Sequence, residues 1–217
     1  MSESSWHSDI AFDHAFILVR SLTGADERLR SEFGLGSVPG NTFPDHPGIE
    51  NRFVPMRDGF IELLAADPRA DGDAARFWTE QLERHGEHFA GWAMRTERIE
   101  DAARELGADI DAEKGFMETT GAELRWSVVW PFEDPPNVPF LIQWEDFASL
   151  RAHLDRSLIE ANQEREPFGV EFLEIGGDFQ PVETRIGRRS FVRAASGPDR
   201  VLSVVVSTSE GPLTVHW

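Results

Sequence analysis

Two polar side chains, His14 and Glu62, interrupt apolar runs that lie far apart in the sequence. His14 alternates with Phe12 and Phe16, so these three side chains share one face of a predicted strand. Glu62 has the same kind of setting, two residues after Phe60. A carboxylate in such a run is costly to bury without a partner. An imidazole and a carboxylate that meet can transfer a proton near neutral pH or bind a divalent metal, so this pair is the predicted catalytic site.

Three polar residues between these two strands are candidates for binding a ligand. His46 lies in a loop rich in proline and glycine. It is either an exposed turn residue, which is the favoured interpretation, or a second donor at the mouth of the site. Asn51 and Arg52 begin a predicted strand. The guanidinium group of Arg52 either faces solvent, again the favoured interpretation, or holds a substrate carboxylate through two hydrogen bonds.

The tryptophans form a second group of candidate binding residues. Trp92, Trp126, Trp130 and Trp144 all fall in predicted strands between residues 89 and 144. Tryptophan supplies a large apolar surface with one hydrogen-bond donor, which suits either a packed core or the wall of an aromatic pocket. We expect Trp92, Trp126 and Trp144 to contact the ligand. The chain has no cysteine and no tyrosine, which excludes disulfides, thiol nucleophiles and phenolic acids.

The overall composition predicts a globular protein of one large or two small domains. The 217 residues carry 21 basic and 39 acidic side chains, a formal charge of −18. This charge argues against nucleic acid and against anionic membrane surfaces as partners. The sequence shows no phosphate-binding loop, dinucleotide fingerprint or serine-hydrolase elbow. It also shows no apolar run long enough to span a bilayer and no signal peptide, so a cytoplasmic location is expected.

The predicted elements follow the order strand, helix, strands, and this order recurs along the chain. In the first occurrence Thr23 is the predicted N-cap of the helix, and Gly34 is the predicted end. The predicted units are a first βαβββ module, a linker helix, a second module, another helix and a shortened β-rich half-module. They span residues 10–70, 71–88, 89–145, 146–167 and 168–217.

Several segments resemble the vicinal oxygen chelate superfamily, and within it glyoxalase-like domain proteins of the glyoxalase, bleomycin-resistance and extradiol dioxygenase type. The similar segments are Asp13-His14-Ala15-Phe16-Ile17-Leu18-Val19, the stretch from His46 to Pro55, Phe60-Ile61-Glu62-Leu63, the stretch from Phe89 to Thr96, and Pro139-Phe140-Leu141-Ile142-Gln143-Trp144. Their order and spacing carry the resemblance over about residues 10–145. It implies an α+β fold in which repeated βαβββ modules form curved mixed sheets around a cup.

The resemblance also implies a divalent metal bound by the first and fourth strands of each module. The corresponding positions here are His14, Glu62, Gly91 and Gln143. Because glycine offers no ligand, the implied metal ligands are His14, Glu62 and Gln143, with zinc, manganese, iron or nickel as the candidate metals. Two other interpretations remain: acid–base chemistry by His14 and Glu62 without a metal, and a structural hydrogen bond between them.

Two classes of function follow from the resemblance. One is a lyase, isomerase or dioxygenase-type enzyme that acts on a small oxygen-rich substrate in the cup. The other is a metal-free protein that binds or sequesters an apolar or aromatic small molecule. The half-module leaves a sheet edge that is covered either within the chain or by a homodimer.

Overall fold

The computed structural model of the protein describes residues 5–131 and 135–217. Within these ranges single helices are separated by single strands or by runs of three strands. The strands are β1 (Ala11–Leu18), β2 (Val38–Thr42), β3 (Ile49–Pro55), β4 (Phe60–Ala66), β5 (His88–Arg95), β6 (Asp111–Met117), β7 (Glu123–Val129), β8 (Phe140–Trp144), β9 (Pro167–Ile175), β10 (Val192–Ala194), β11 (Val201–Thr208) and β12 (Gly211–His216). The α-helices are α1 (Leu22–Arg28), α2 (Asp73–His85), α3 (Ile99–Leu106), α4 (Phe147–Glu160) and α5 (Gln180–Ile186).

Two βαβββ modules close into one eight-stranded barrel. The strand order around it is β1-β4-β3-β2-β6-β7-β8-β5. Within each module the first strand runs parallel to the last, and the two modules join where β1 pairs antiparallel with β5. The α+β fold class and the curved mixed sheet around a cup are therefore confirmed.

The interior of the barrel, here called the cup, is lined mainly by apolar side chains, and helices pack at its two ends. On α4, Leu150 and Leu154 pack into the interior cluster at the end where β3 turns into β4, and Arg151 donates a hydrogen bond to the carbonyl of Met56 there. At the opposite end Trp78 of α2 contacts Phe16, with ring centroids 5.4 Å apart. The alternation of each strand decides which side chains face the cup.

The first helix begins two residues earlier than the sequence predicts, because Ser21 is its N-cap. The Ser21 hydroxyl accepts a hydrogen bond from the N–H of Gly24 at 3.2 Å. The prediction of Thr23 as N-cap is therefore wrong; Ser21 has the extended backbone that a cap needs, and Thr23 already lies inside the helix. A π-helical turn, Leu29–Phe33, extends α1 to Gly34, whose φ of 68° ends it as predicted.

Residues 167–216 form a second sheet with the order β10-β9-β11-β12. Its elements repeat the order strand, helix, three strands, but β9 pairs in parallel with β10 rather than with the last strand. The sheet packs on the outer face of the barrel, where Leu173 and Val204 join a buried cluster with Ile17 and Leu63. None of the described helices is long and apolar enough to cross a membrane.

Candidate acid–base site in the cup

A β-bulge in β1 turns an acidic side chain toward the cup. Phe12 pairs with Met94 and His14 pairs with Ala93, so Asp13 is an extra residue between the two pairs. A bulge of this kind bends the strand and re-aims the inserted side chain. Asp13 and His14 consequently lie side by side, and only 1% and 5% of their surfaces are exposed.

The Asp13 carboxylate accepts hydrogen bonds from three donors. These are Nδ1 of His14 at 2.7 Å, Nε1 of Trp144 at 3.0 Å and a guanidinium N–H of Arg95 at 3.4 Å. A buried carboxylate is tolerated when its oxygens are bonded and its charge is paired, and both conditions hold here.

His14 also faces Glu62 across a short gap. Its Nε2 atom lies 3.6 Å from Oε2 of Glu62, which is longer than a normal hydrogen bond. The imidazole is stacked on Phe60 with a centroid distance of 4.6 Å, and the edge of Phe140 lies 5.4 Å away. Aromatic packing therefore fixes the ring, and the gap leaves the two polar atoms within reach of one ligand atom.

An amide holds the other oxygen of Glu62. Nδ2 of Asn51 donates to Oε1 of Glu62 at 2.6 Å, while the backbone N–H of Asn41 donates to Oδ1 of Asn51 at 2.6 Å. A Cβ on Gly40 would lie 2.1 Å from that Oδ1, so glycine is required for this close approach. The irregular pairing of β2 with β3 near Gly40 thus positions Asn51, and Asn51 orients Glu62.

Burial raises the pKa of the Glu62 carboxyl group above its ordinary value. The nearby Asp13 carboxylate raises this pKa further, whereas His14 and the Asn51 amide oppose the increase. The Glu62 side chain keeps 14% of its surface exposed. A carboxyl group with a raised pKa beside an imidazole can either donate or accept a proton near neutral pH.

A family model described as a glyoxalase-like domain matches residues 12–178. The chain belongs to the glyoxalase-like domain family. This match confirms the resemblance to the vicinal oxygen chelate superfamily. A search of the curated proteins finds no match to the chain.

Solved structures with this fold include a hypothetical protein from Staphylococcus aureus, with a TM-score of 0.68, 15% identity, and coverage of 93% of this chain and 92% of its own. Methylmalonyl-CoA epimerase from Mycobacterium tuberculosis has a TM-score of 0.47 and 21% identity, and the match covers 69% of this chain and 97% of the epimerase. A hypothetical protein from Bacillus halodurans has a TM-score of 0.46 and 16% identity, with coverage of 62% and 93%. The Staphylococcus structure supports the fold of this glyoxalase-like chain.

The pairing of β1 with β5 identifies the counterpart of His14 in the second module. Ala93 lies opposite His14, and Gly91 lies opposite Phe16. Because the two modules are duplicates, the pair His14–Ala93 corresponds to the pair Gly91–Phe16. Gly91 is therefore the counterpart of His14, and Ala93 is the counterpart of Phe16. A Cβ on Gly91 would lie 2.3 Å from a ring carbon of Phe16. The phenyl ring therefore fills the place where a ligand side chain of the second module would stand.

The fourth position is Phe140 rather than Gln143. Phe16 adjoins Glu62 on β4, and its counterpart Ala93 adjoins Phe140 on β8. Oε1 of Gln143 instead accepts a hydrogen bond at 3.1 Å from the N–H that begins α3, outside the cup. Matching Phe60-Ile61-Glu62 to Leu141-Ile142-Gln143 by their apolar residues places the alignment three residues away from the strand pairing in the structure. A shift by an odd number of residues exchanges the two faces of a strand. The structure does not bring Gln143 to Glu62.

The residues of this glyoxalase-like cup do not fit a metal centre. Two of the four positions are occupied by Phe16 and Phe140, and Nδ1 of His14 is already bonded to Asp13. Across residues 5–131 and 135–217 no cluster of three or more His, Asp or Glu side chains could hold a metal ion. His14 and Glu62 alone make too small a donor set for zinc, manganese, iron or nickel.

The structure brings His46, Asn51 and Arg52 to one cavity at the junction of β2 and β3, with a volume of about 540 Å³. Nε2 of His46 lies 2.8 Å from a carboxylate oxygen of Glu113, so the loop reaches across to β6. Arg52 donates to the hydroxyl and the carbonyl of Ser37, which commits its guanidinium group within the protein. Asn51 is shared by this cavity and the Glu62 hydrogen bond.

The three predicted tryptophans separate into two groups. Trp126 and Trp144 pack together at the cup, with ring centroids 5.2 Å apart. Trp92 is fully buried and donates to the carbonyl of Asn137, whose amide in turn binds the second sheet at Gly176. Trp92 therefore lies between the barrel and the second sheet, away from the cup.

Asp13 is the site residue that sequence reasoning missed. Regular alternation places it on the face opposite His14, and the bulge that reverses this depends on β5, which is distant in sequence. One signal was present: an acidic residue in a strand whose two faces are otherwise apolar needs a buried partner.

Proposed function

We propose that this glyoxalase-like protein binds an aromatic or apolar carbonyl compound in its cup and transfers a proton to and from it with His14 and Glu62, without a metal. The observation that carries this proposal is the 3.6 Å gap between Nε2 of His14 and Oε2 of Glu62 inside an aromatic wall. The reaction class is isomerase or lyase chemistry that begins with removal of a proton next to a carbonyl.

The two groups divide the work between carbon and oxygen. The unprotonated Nε2 of His14 accepts the proton from the carbon next to the carbonyl, and the protonated carboxyl group of Glu62 donates a proton to the carbonyl oxygen. The product is a neutral enol. Return of the proton from His14 to the carbon, with the enol proton going back to Glu62, restores both groups and exchanges the hydrogen next to the carbonyl. General acid–base catalysis of this kind contributes about 10²- to 10⁴-fold in rate.

Simple binding is the second candidate function, and the aromatic wall favours it. The ring centroid of Phe140 lies 6.3 Å from that of Phe16 and 4.7 Å from that of Trp130. Trp126 and Trp144 form a second aromatic pair. Such rings bind flat apolar molecules whether or not a proton moves. In this case the protein sequesters its ligand.

The remaining assignments belong to the same proposal. We place the protein in the cytoplasm with a small molecule as its partner. Its charge of −18 argues against a nucleic acid or an anionic membrane as a partner. The edges of the second sheet, β10 and β12, are the surfaces on which a homodimer would form.

Deuterium exchange distinguishes proton transfer from binding. Phenylacetone in D₂O is the probe, and loss of its proton signals next to the carbonyl is followed by NMR. We expect the wild type to accelerate exchange and Glu62→Gln to lose about 10²-fold of that acceleration. Glu50→Gln, a matched change on the exposed face of β3, keeps it. Binding of phenylacetone without exchange would leave sequestration as the function.

Metal addition tests the other half of the proposal. A metal that binds only the folded protein, at a free concentration of 1,000 times its Kd, would raise the free energy of unfolding by about 4 kcal/mol. We expect no rise in Tm with Mn²⁺, Fe²⁺, Ni²⁺ or Zn²⁺, and less than stoichiometric metal in the purified protein. A clear rise that Glu62→Gln abolishes would contradict the metal-free site.

A further inference from the structure

We propose that Asp13 is a positioning residue that fixes the orientation and tautomer of His14, so that the unprotonated Nε2 faces Glu62. This inference rests on the proposed proton transfer and names the residue that prepares it. Asp13 touches no ligand in this account; it acts through the imidazole.

The backbone commits Asp13 to this role. The bulge between Phe12 and His14 turns the Asp13 carboxylate to the side of the neighbouring imidazole, and Oδ1 lies 2.7 Å from Nδ1. Regular pairing would have put the carboxylate on the other face of the sheet. A bulge is over-represented next to functional sites, where it re-aims a side chain.

Two further residues hold the carboxylate in place. Nε1 of Trp144 and the guanidinium group of Arg95 both donate to Oδ2, which leaves Oδ1 for His14. Arg95 is itself fixed, because its guanidinium carbon lies 3.7 Å from the ring centroid of Phe147. The orientation of Asp13 therefore does not depend on His14 alone.

The hydrogen bond determines the tautomer. An ionised carboxylate only accepts hydrogen bonds, so Nδ1 of His14 must carry a hydrogen. The lone pair of the neutral ring is then on Nε2, the atom 3.6 Å from Glu62. Nε2 is then free to accept a proton while the Glu62 carboxyl group donates one, which is the division that the proposed transfer needs. A carboxylate that orients a catalytic imidazole in this way acts without becoming protonated itself.

The test is ¹⁵N NMR of the His14 ring in the ligand-free protein, so it needs no substrate. We expect a protonated Nδ1 and an unprotonated Nε2 in the wild type above the pH at which the ring loses its charge. Asp13→Asn should shift His14 toward a mixture of tautomers and slow phenylacetone exchange at least tenfold. Asp9→Asn is the matched control, since Asp9 binds Thr96 and the N–H of Glu97 at the edge of the barrel.

The outcomes separate the two proposals. An unprotonated Nδ1 in the wild type overturns the role of Asp13 even if exchange is observed. The same holds if Asp13→Asn leaves both the tautomer and the pH profile of exchange unchanged. The expected tautomer in a protein that catalyses no exchange supports the role of Asp13 and overturns only proton transfer. Because the wild-type spectrum is informative alone, the test does not depend on Asp13→Asn folding.

Discussion

The Glu62 carboxyl group lies in surroundings that disfavour its charged form. The group is buried against aromatic rings, faces His14 across a gap longer than a hydrogen bond, and lies near the negative charge of Asp13. Groups retained at such a cost are typical of functional sites, where stability is exchanged for a tuned proton affinity.

The pH dependence of stability follows from the raised pKa of Glu62. Since the folded state holds this proton more tightly than the unfolded chain, the stability from Glu62 is greatest below pH 4.5, the ordinary value, and is lost as pH rises through the folded-state pKa. Glu62→Gln removes the ionisation and keeps an acceptor for Asn51. We expect its Tm to exceed that of the wild type by roughly 2 °C or more at pH 7, with the difference vanishing near pH 4.

Thermal unfolding between pH 4 and 8 checks this prediction, with Glu50→Gln as the control for a change of one charge. A Glu62→Gln protein less stable than the wild type at pH 7 would instead assign the carboxylate a structural role.

At the scale of elements, the first strands of the two modules make different contributions to the cup, so that its lining is polar on one side and aromatic on the other. β1 supplies Asp13 and His14, whereas β5 supplies Gly91 and so makes room for Phe16. The chemistry of the cup is concentrated on the first module for this reason.

Gly91→Ala tests this packing. The added Cβ would lie 2.3 Å from the Phe16 ring, and overpacking of this kind typically costs about 1–3 kcal/mol. Combining it with Phe16→Leu should recover part of the loss in urea unfolding. Gly24→Ala is the control, because its Cβ meets only ordinary contacts at 3.6 Å on α1. Additive effects of the Gly91 and Phe16 changes would show that the ring does not depend on this glycine.

The sequence predicted more of the elements than of the site. Alternating side chains put His14 and Glu62 each on one face of its own strand, and the resemblance to the vicinal oxygen chelate superfamily implied that these two faces meet in one cup. Asp13 was missed because a bulge depends on pairing between distant strands, and Gln143 was misplaced by a three-residue alignment shift that depends on the same kind of pairing. The strand β2 was not predicted, because proline, glycine and asparagine in Val38-Pro39-Gly40-Asn41-Thr42 are typical of loops.

At the scale of the whole molecule, the second sheet completes the burial of the barrel. The outer faces of β1, β4 and β5 are apolar, and residues of β9 and β11 cover them. Trp92 and Asn137 link the two parts through hydrogen bonds. Element order alone did not predict the pairing of β9 with β10, which departs from that of the two modules.

Because the barrel and the second sheet share one buried cluster, we expect them to unfold together. Leu173→Ala, in a residue with no exposed surface, should lower the free energy of unfolding by about 2–5 kcal/mol. Tryptophan fluorescence, which reports mainly on the barrel, and far-UV circular dichroism should give coincident urea transitions. Two separated transitions would show that the sheet is an independent unit.

The most direct test of the central claim is a ¹³C NMR titration of the Glu62 carboxyl group, followed together with the His14 ring. We predict a midpoint above the ordinary value of 4.5, because burial raises the pKa of Glu62, and a matching inflection in the His14 resonances, because Nε2 lies 3.6 Å from the carboxylate. A midpoint at or below 4.5, with no response from His14, would contradict the account.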